Sequence, residues 1–392
     1  MPASRTAAVR GFRLAEALAL RAWALRLLGG EAAGAAPACS AGSWETFLLA
    51  ERCAHPLARA VAHAGVRLPP HAAEALHRRA EVELMRILSA AAQIHTVRTV
   101  AAAEGWRVVV MKGGVLVPDP ARALDVADLD LLLRPGEGRA LAARLEQGLG
   151  YVALHPDPDP RAGMQHLGQR VTPHHVQVEI HERLGGLDAA DALVDRAQPL
   201  EGVPGVFRLH PRDHLRHLLE HVVQSHPDRR GNLRDLLLVA TAAAAGPELP
   251  PELTASGHGG ARAMRGTLEM GRALAGGRAP RDAFAAEAAA RYLMLRHLSA
   301  WTGSGKFTRD LGGALVTLVA HPREYASLWG LTLRRPLGAA SSYRSLPLRL
   351  AAQVAAPPLR AARLLAASLA AVPFAAWARS AASPRGPRQA AD

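Results

Sequence analysis

The pattern of hydrophobic and polar positions divides the chain into helical stretches on either side of a strand-rich stretch. Residues 1–100 are helical in pattern, and a long helix is predicted at about 71–104, after the break at Pro69-Pro70. Short apolar or alternating runs predict four strands, at 107–111, 129–133, 151–154 and 176–181. We therefore predict an α+β fold, in which a small mixed β-sheet core is flanked by N-terminal and C-terminal helical regions.

Breaks in the pattern predict how the chain is organised. A helix at 136–148 links two of the strands, and helices return from Pro211 to about residue 300, separated near 246–251 and 276–280. Four regions follow from these shifts: helices at 1–100, an α/β core at 101–205, a helical domain packing on the core at 206–310, and basic amphipathic helices with a disordered tail at 311–392.

Two carboxylates, Asp128 and Asp130, lie one residue apart on the strand predicted at 129–133. Side chains at i and i+2 of a strand leave the same face, so the two acids point together. Paired carboxylates repel each other unless a cation lies between them, and Mg²⁺ prefers such oxygen ligands. Alternatively, the two acids could lie on a solvent-exposed edge strand, where charged side chains discourage aggregation. The apolar run 131–133 does not favour this alternative.

A third acid, Glu179, lies in the alternating run 176–181, between two β-branched residues. If that strand neighbours the one carrying Asp128 and Asp130, three acids meet in one patch. Such a trio is enough for two metal ions about 3.5–4 Å apart, as used in phosphoryl or nucleotidyl transfer. His181 shares the face of Glu179 and either orients a carboxylate, contacts substrate, or is a strand-end histidine bonded to backbone.

A lysine precedes a glycine pair, as Lys112-Gly113-Gly114, shortly before the acidic strand. Only Lys112 and Lys306 of the 47 basic residues are lysines. Lys112 is therefore either required as a compact point charge for phosphate or present by chance. The segment around Lys306 fails the P-loop pattern and is interpreted as a loop.

Charge and cysteine content limit the classes of protein that fit. A net charge of +13 indicates an anionic partner, which could be a nucleotide, a nucleic acid or a membrane surface. Two cysteines give no disulfide framework, and arginines interrupt the apolar runs near the start, so we predict a cytoplasmic protein. The basic C-terminal helices leave peripheral contact with the inner membrane surface or with protein open, since the uncharged run 364–378 is too short to span a bilayer.

Taken in order, these motifs resemble the polymerase-β-like nucleotidyltransferase superfamily, and more closely its uncharacterised bacterial nucleotidyltransferase family, over roughly residues 90–240. The residues that carry the resemblance are Met111-Lys112-Gly113, Arg122, Asp128-Leu129-Asp130-Leu131-Leu132-Leu133, Gly150-Tyr151, Glu179-Ile180-His181, His221 and Asp235-Leu236. One departure is a stretched spacing between Arg122 and the acids, with Asp125 between them as a further acid.

The resemblance implies a Mg²⁺- or Mn²⁺-dependent enzyme that moves a nucleoside monophosphate from a nucleoside triphosphate to an acceptor hydroxyl and releases pyrophosphate. The implied roles are catalysis and metal binding for Asp128, Asp130 and Glu179, nucleotide binding for Lys112, Gly113, Gly114 and Arg122, and support beneath the site for His181, His221 and Asp235. The acceptor is not identified by any motif.

Other readings stay open at this point. A non-catalytic nucleotide-binding or scaffold module in a biosynthetic or cell-surface assembly would share the same residues. A toxin-like transferase acting on tRNA or protein fits the charge, although no RNA-reading motif is present, so nucleic acid is not favoured as a partner.

Three histidines, His214, His217 and His221, share one face of a predicted helix. A zinc site there is less favoured than ordinary helix histidines, because no cysteine completes a set of zinc ligands.

Overall fold

The structure is a computed structural model that describes residues 12–154, 167–172, 176–184, 187, 189–225, 231–244 and 261–297. The α-helices in these ranges are α1 (Leu14–Leu28), α2 (Ala41–Glu51), α3 (Ala54–His63), α4 (Pro70–Glu104), α5 (Glu137–Leu149), α6 (Ala190–Asp195), α7 (Pro211–Glu220), α8 (Leu233–Ala244), α9 (Ala261–Ala275) and α10 (Ala285–His297). The strands are β1 (Val108–Val110), β2 (Asp128–Leu132), β3 (Val152–Ala153), β4 (Arg170–Val171), β5 (Gln177–His181), β6 (Gln198–Pro199) and β7 (Val206–Arg208).

The strands form one mixed sheet in the order β3-β4-β5-β2-β1-β7-β6. Strand β2 pairs in parallel with β5 and antiparallel with β1, and β1 pairs in parallel with β7. Helices precede and follow the sheet along the chain, so the predicted α+β class with a small mixed sheet and flanking helices is confirmed.

The two faces of the central strands have different coverings. The long helix α4 places Ala90, Ile94, Val97 and Ala101 at helical spacing against one face, in a core shared with the odd-numbered leucines of β2. The opposite face is covered in part by α6, which packs against alternate residues of β1 and β2. Since side chains alternate along a strand, Asp128 and Asp130 leave β2 on the face away from α4.

The helices at the two ends of the described chain share one core. Apolar residues of α1, α2 and α3 pack with residues of α8, α9 and α10. A buried ion pair joins Arg21 of α1 to Glu51 of α2 at 2.8 Å. A smaller core joins α7, α8 and α9 to Leu116 and Leu124, which follow the glycine pair.

Several predicted elements can be compared with the structure. The four predicted strands and the helices at 71–104 and 136–148 are present with shifts of at most one residue, whereas β4, β6 and β7 were not predicted. The helix predicted to carry His214, His217 and His221 ends at Glu220, and His221 begins a π-helical turn, His221–Ser225. The break at 246–251, Lys306 and the segment 311–392 lie outside the described residues.

Within the described ranges, no helix combines the length and the apolar character needed to cross a bilayer.

A buried carboxyl on α4 gives a pH-dependent prediction. Glu83 is fully buried and accepts the backbone N–H of His55 at 2.8 Å. Burial and then the neighbouring Asp125 raise the pKa of Glu83 to about 7, although backbone N–H groups at the start of α3 act the other way. In the unfolded chain this carboxyl ionises near 4.5, so the free energy of unfolding falls as the pH rises from about 4.5 through 7.

Glu83→Gln removes this titration, because glutamine is neutral at every pH. We expect the variant to be more stable than the wild type at about pH 8, by up to about 3 kcal/mol, and close to it at about pH 5. Urea unfolding at both pH values measures this. Glu81→Gln, whose side chain on the same helix is 62% exposed, is the matched control. Equal pH dependence in Glu83→Gln and wild type would contradict the prediction.

Candidate functional site

The acidic residues of β2 and β5 meet through the register of the two strands. In the parallel β2–β5 pair, Asp128 lies opposite Gln177 and Asp130 lies opposite Glu179. Both strands place these residues on the same face of the sheet, because alternate residues share a face. The prediction that the two acidic strands are neighbours is therefore confirmed.

Three side chains on this face come close enough to hold a metal ion. A carboxylate oxygen of Asp130, one of Glu179 and a ring nitrogen of His181 all lie within 4.8 Å of one another. Asp130 and His181 are buried, and Glu179 is half-buried. Asp128 is half-buried on the same face, two residues before Asp130, and does not belong to this trio.

The ammonium of Lys112 lies inside this acidic cluster. Its Nζ is 2.6 Å from Asp130 Oδ1, and His181 Nε2 is 3.1 Å from the same oxygen and 3.8 Å from Glu179 Oε2. Burial would lower the pKa of Lys112, but Asp130, Asp128 and Glu179 together raise it above its ordinary value. Burial would likewise raise the pKa of Asp130, but Lys112 and His181 hold it well below its usual range. Lys112 and Asp130 therefore form an ionised, buried ion pair within the cluster.

The backbone at Lys112 is strained. Its φ is +49°, in the left-handed region that side-chain-bearing residues rarely adopt, at a cost of roughly 1–2 kcal/mol. Lys112 begins a short 3₁₀ helix, Lys112–Leu116, directly after β1. Burial and Arg208 lower the pKa of His214 to about 4, whereas the backbone of Lys112 acts the other way.

Close packing, and not a positive φ, explains the two glycines. A Cβ at Gly114 would lie 2.6 Å from Cγ1 of Val110 and 3.1 Å from Cδ1 of Leu129. A Cβ at Gly113 would lie 3.0 Å from Nη2 of Arg234. The turn therefore sits directly on the sheet on one side and on an arginine of α8 on the other.

That arginine connects the turn to the predicted supporting residue Asp235. Arg234 donates from Nη1 to Asp235 Oδ1 at 2.6 Å and from Nε to the carbonyl oxygen of Asp125 at 3.0 Å. The resemblance implies a hydrogen bond between Asp235 and His221, which stays a prediction. The ring of His221 lies 5.9 Å from that of His217, centroid to centroid.

Arg122 and Asp125, which the sequence also singles out, do not belong to the acidic trio. Arg122 is exposed and lines a cavity of about 590 Å³ that also contacts Arg208 and His214. Asp125, a further acid in the sequence, is fully buried between Arg52 at 2.7 Å and Arg86 at 3.2 Å, and so it stabilises the fold.

Sequence reasoning missed two contacts of the cluster. The side-chain amide of Gln169, just before β4, donates to Glu179. His217 is buried, and its Nε2 has no hydrogen-bond partner among the described residues. Burial and then Lys112 and His181 lower the pKa of His217 to about 3, which keeps its ring neutral. The spacing of His214 and His217 predicts a shared helix face, but no sequence signal indicates that this face meets Lys112.

Comparison with known proteins identifies a family. A family model described as "Uncharacterised nucleotidyltransferase" matches residues 47–244, a range that contains the acidic trio, the glycine turn and the Arg234–Asp235 pair. No curated protein matches the chain, and no solved structure matches it.

Proposed function

The chain belongs to the uncharacterised nucleotidyltransferase family, and from this we propose that it transfers a nucleoside monophosphate from a nucleoside triphosphate to an acceptor hydroxyl. The observation that carries the proposal is the pairing of Asp130 with Glu179 across two parallel strands, beside a lysine on a glycine turn. An ionised carboxylate pair next to a cation is the arrangement that phosphoryl transfer needs, because its catalysis is mainly positioning and charge neutralisation.

The residues on the acidic face fit a divalent metal. Two carboxylates and an imidazole offer oxygen and nitrogen ligand atoms within 4.8 Å of one another, and the lowered pKa of Asp130 keeps that ligand ionised. We propose that Asp128, Asp130 and Glu179 hold Mg²⁺ or Mn²⁺, with His181 beside them. The metal would neutralise the triphosphate oxygens and polarise the phosphorus under attack.

The protein's own groups would position the reactants. Gly113 and Gly114 carry no side chain, so the backbone of the turn can approach the triphosphate, as in other glycine-rich phosphate sites. Lys112 supplies positive charge next to it. Arg122 stays a proposed nucleotide contact, supported by its place in the cavity that begins at Val115, directly after the glycine pair.

The reaction would run as a single displacement. The acceptor hydroxyl oxygen forms a bond to the α-phosphorus, and the bond from that phosphorus to the bridging oxygen breaks, so that pyrophosphate leaves with the electron pair. One of the carboxylates on the acidic face takes the hydroxyl proton. Asp128 is our candidate for this role, because it is half-buried and lies outside the trio of Asp130, Glu179 and His181.

Labelled substrates test the proposal. We expect the purified protein, given α-labelled nucleoside triphosphates, Mg²⁺ or Mn²⁺ and a cell extract, to transfer label to an acceptor and release pyrophosphate, and to lose both in a chelator. Fractionating the labelled product then identifies the acceptor. Tight nucleotide binding without pyrophosphate release, with every triphosphate and in the presence of extract, would favour a non-catalytic module.

A further inference from the structure

The position of Lys112 bears on how many metal ions the site takes. Its Nζ lies 2.6 Å from Asp130 Oδ1, and the two side chains are only 10% and 2% exposed. A buried carboxylate oxygen with an ammonium at this distance is already neutralised. A metal ion bound at the same oxygen would have to lie beside that ammonium, and like charges at such short range repel strongly.

We propose that the Lys112 ammonium takes the place of one of the two metal ions, so that the enzyme binds a single divalent ion, held by Glu179 with the remaining carboxylate oxygens. This inference rests on the proposed function. In this role Lys112 replaces a metal ion, which goes beyond binding phosphate.

Charge balance on the acidic face supports one ion. Asp128, Asp130 and Glu179 carry three negative charges when ionised, and an ammonium with one divalent ion supplies three positive charges. Two divalent ions with the ammonium would supply five in a largely buried place, where unbalanced charge is expensive. The incoming triphosphate would bring its own charge, which Lys112 and the single ion would share.

The backbone conformation indicates that Lys112 is held beside Asp130. Lys112 adopts φ +49°, a conformation that glycine takes without strain, and the next two residues are glycines. Placing a lysine there costs backbone strain that a glycine would avoid.

The residue type agrees with the role. All but two of the 47 basic residues are arginines, yet a lysine stands here. An ammonium is a compact point charge, closer in size and shape to a metal ion than the planar guanidinium fork. Lys112→Met keeps an unbranched apolar side chain as far as Cε and removes the charged group, so it isolates this contribution.

Manganese binding tests the number of ions without relying on turnover. Mn²⁺ is titrated into wild-type protein, Lys112→Met and Lys112→Arg, each with a non-hydrolysable α,β-methylene triphosphate analogue, and free Mn²⁺ is followed by electron paramagnetic resonance. Because the analogue itself binds Mn²⁺, the analogue without protein is titrated in parallel, and ions are counted per protein–analogue complex. We expect one ion for wild type and for Lys112→Arg, and two for Lys112→Met. We also expect Mn²⁺ to raise the unfolding temperature of Lys112→Met more than that of wild type, since Asp130 lacks its ammonium.

Each outcome decides between the two proposals. Two ions bound to the wild type, or one to a folded Lys112→Met, would overturn the single-ion proposal and leave the proposed function standing. A single Mn²⁺ ion that the wild-type complex binds no more tightly than the free analogue does would contradict the proposed metal site itself. If Lys112→Met does not fold even with Mn²⁺, the wild-type count still decides, with Lys112→Gln as the second uncharged variant.

Discussion

Asp128→Asn is expected to lower nucleotide transfer by roughly 10²- to 10³-fold or more while the chain stays folded. The side chain is half-buried on the acidic face and makes no hydrogen bond or ion pair within the described part of the chain. Asparagine has almost the same shape, so stability should change little. What is lost is the negative charge that we propose binds the metal and accepts the hydroxyl proton.

Asp130→Asn provides the contrast, because it should abolish transfer and also lower the free energy of unfolding. Removing this carboxylate leaves the Lys112 ammonium buried without its partner, a change that typically costs about 3–5 kcal/mol. Pyrophosphate release and urea unfolding separate the two variants. Asp195→Asn, at an exposed acid paired with Arg134, is the surface control and should leave both quantities near wild type. Turnover in Asp128→Asn within a few-fold of wild type would refute the assignment of Asp128.

The sequence predicts the acidic face well because the information is local. Alternation along β5 and the apolar neighbours of Asp130 indicate which side chains share a face and which enter the core. The long helix α4 is also local information, since Pro70 begins it and Gly105, with φ +72°, ends it.

The remaining features depend on contacts that no local pattern records. The parallel register that sets Asp130 opposite Glu179 joins residues 49 positions apart. Strands of two residues, such as β4, are too short to show alternation, so Gln169 could not be placed beside Glu179. The direction of the Lys112 side chain depends on a left-handed φ that a sequence with lysine at that position does not predict.

A residue outside the acidic face should have an equally large effect on stability. Glu51 of α2 is completely buried and accepts four hydrogen bonds, which come from Arg21 at 2.8 Å, Arg291 at 3.2 Å, the Tyr292 hydroxyl at 2.6 Å and the backbone N–H of Leu233 at 2.7 Å. Burial would raise the pKa of Glu51, but the two arginines outweigh it and lower the pKa. Its stabilising effect is therefore present above the ordinary pKa of 4.5 and is lost as the pH falls.

Glu51→Ala is expected to reduce the free energy of unfolding by about 3–5 kcal/mol at neutral pH, because it leaves buried positive charge uncompensated. Asp282 would still neutralise Arg21 in part, through contacts of 2.7 and 3.1 Å, so complete unfolding is not expected. Urea unfolding measures the loss. Glu45→Ala on the same helix, which breaks only the partly exposed ion pair with Arg78, should cost less than about 1 kcal/mol.

Glu51→Ala should also lower the activity of the acidic face, because Glu51 contacts the start of α8. Glu51 binds the N–H of Leu233, and the next residue, Arg234, packs with its Nη2 against the glycine turn at Gly113. Losing the first contact frees the first turn of α8, so transfer should fall even at temperatures where the variant is folded. Glu51→Ala with full transfer activity and an intact near-ultraviolet circular dichroism spectrum would show that α2 does not position the turn. Equal losses of stability in Glu51→Ala and Glu45→Ala would show that the buried network does not hold the helices together.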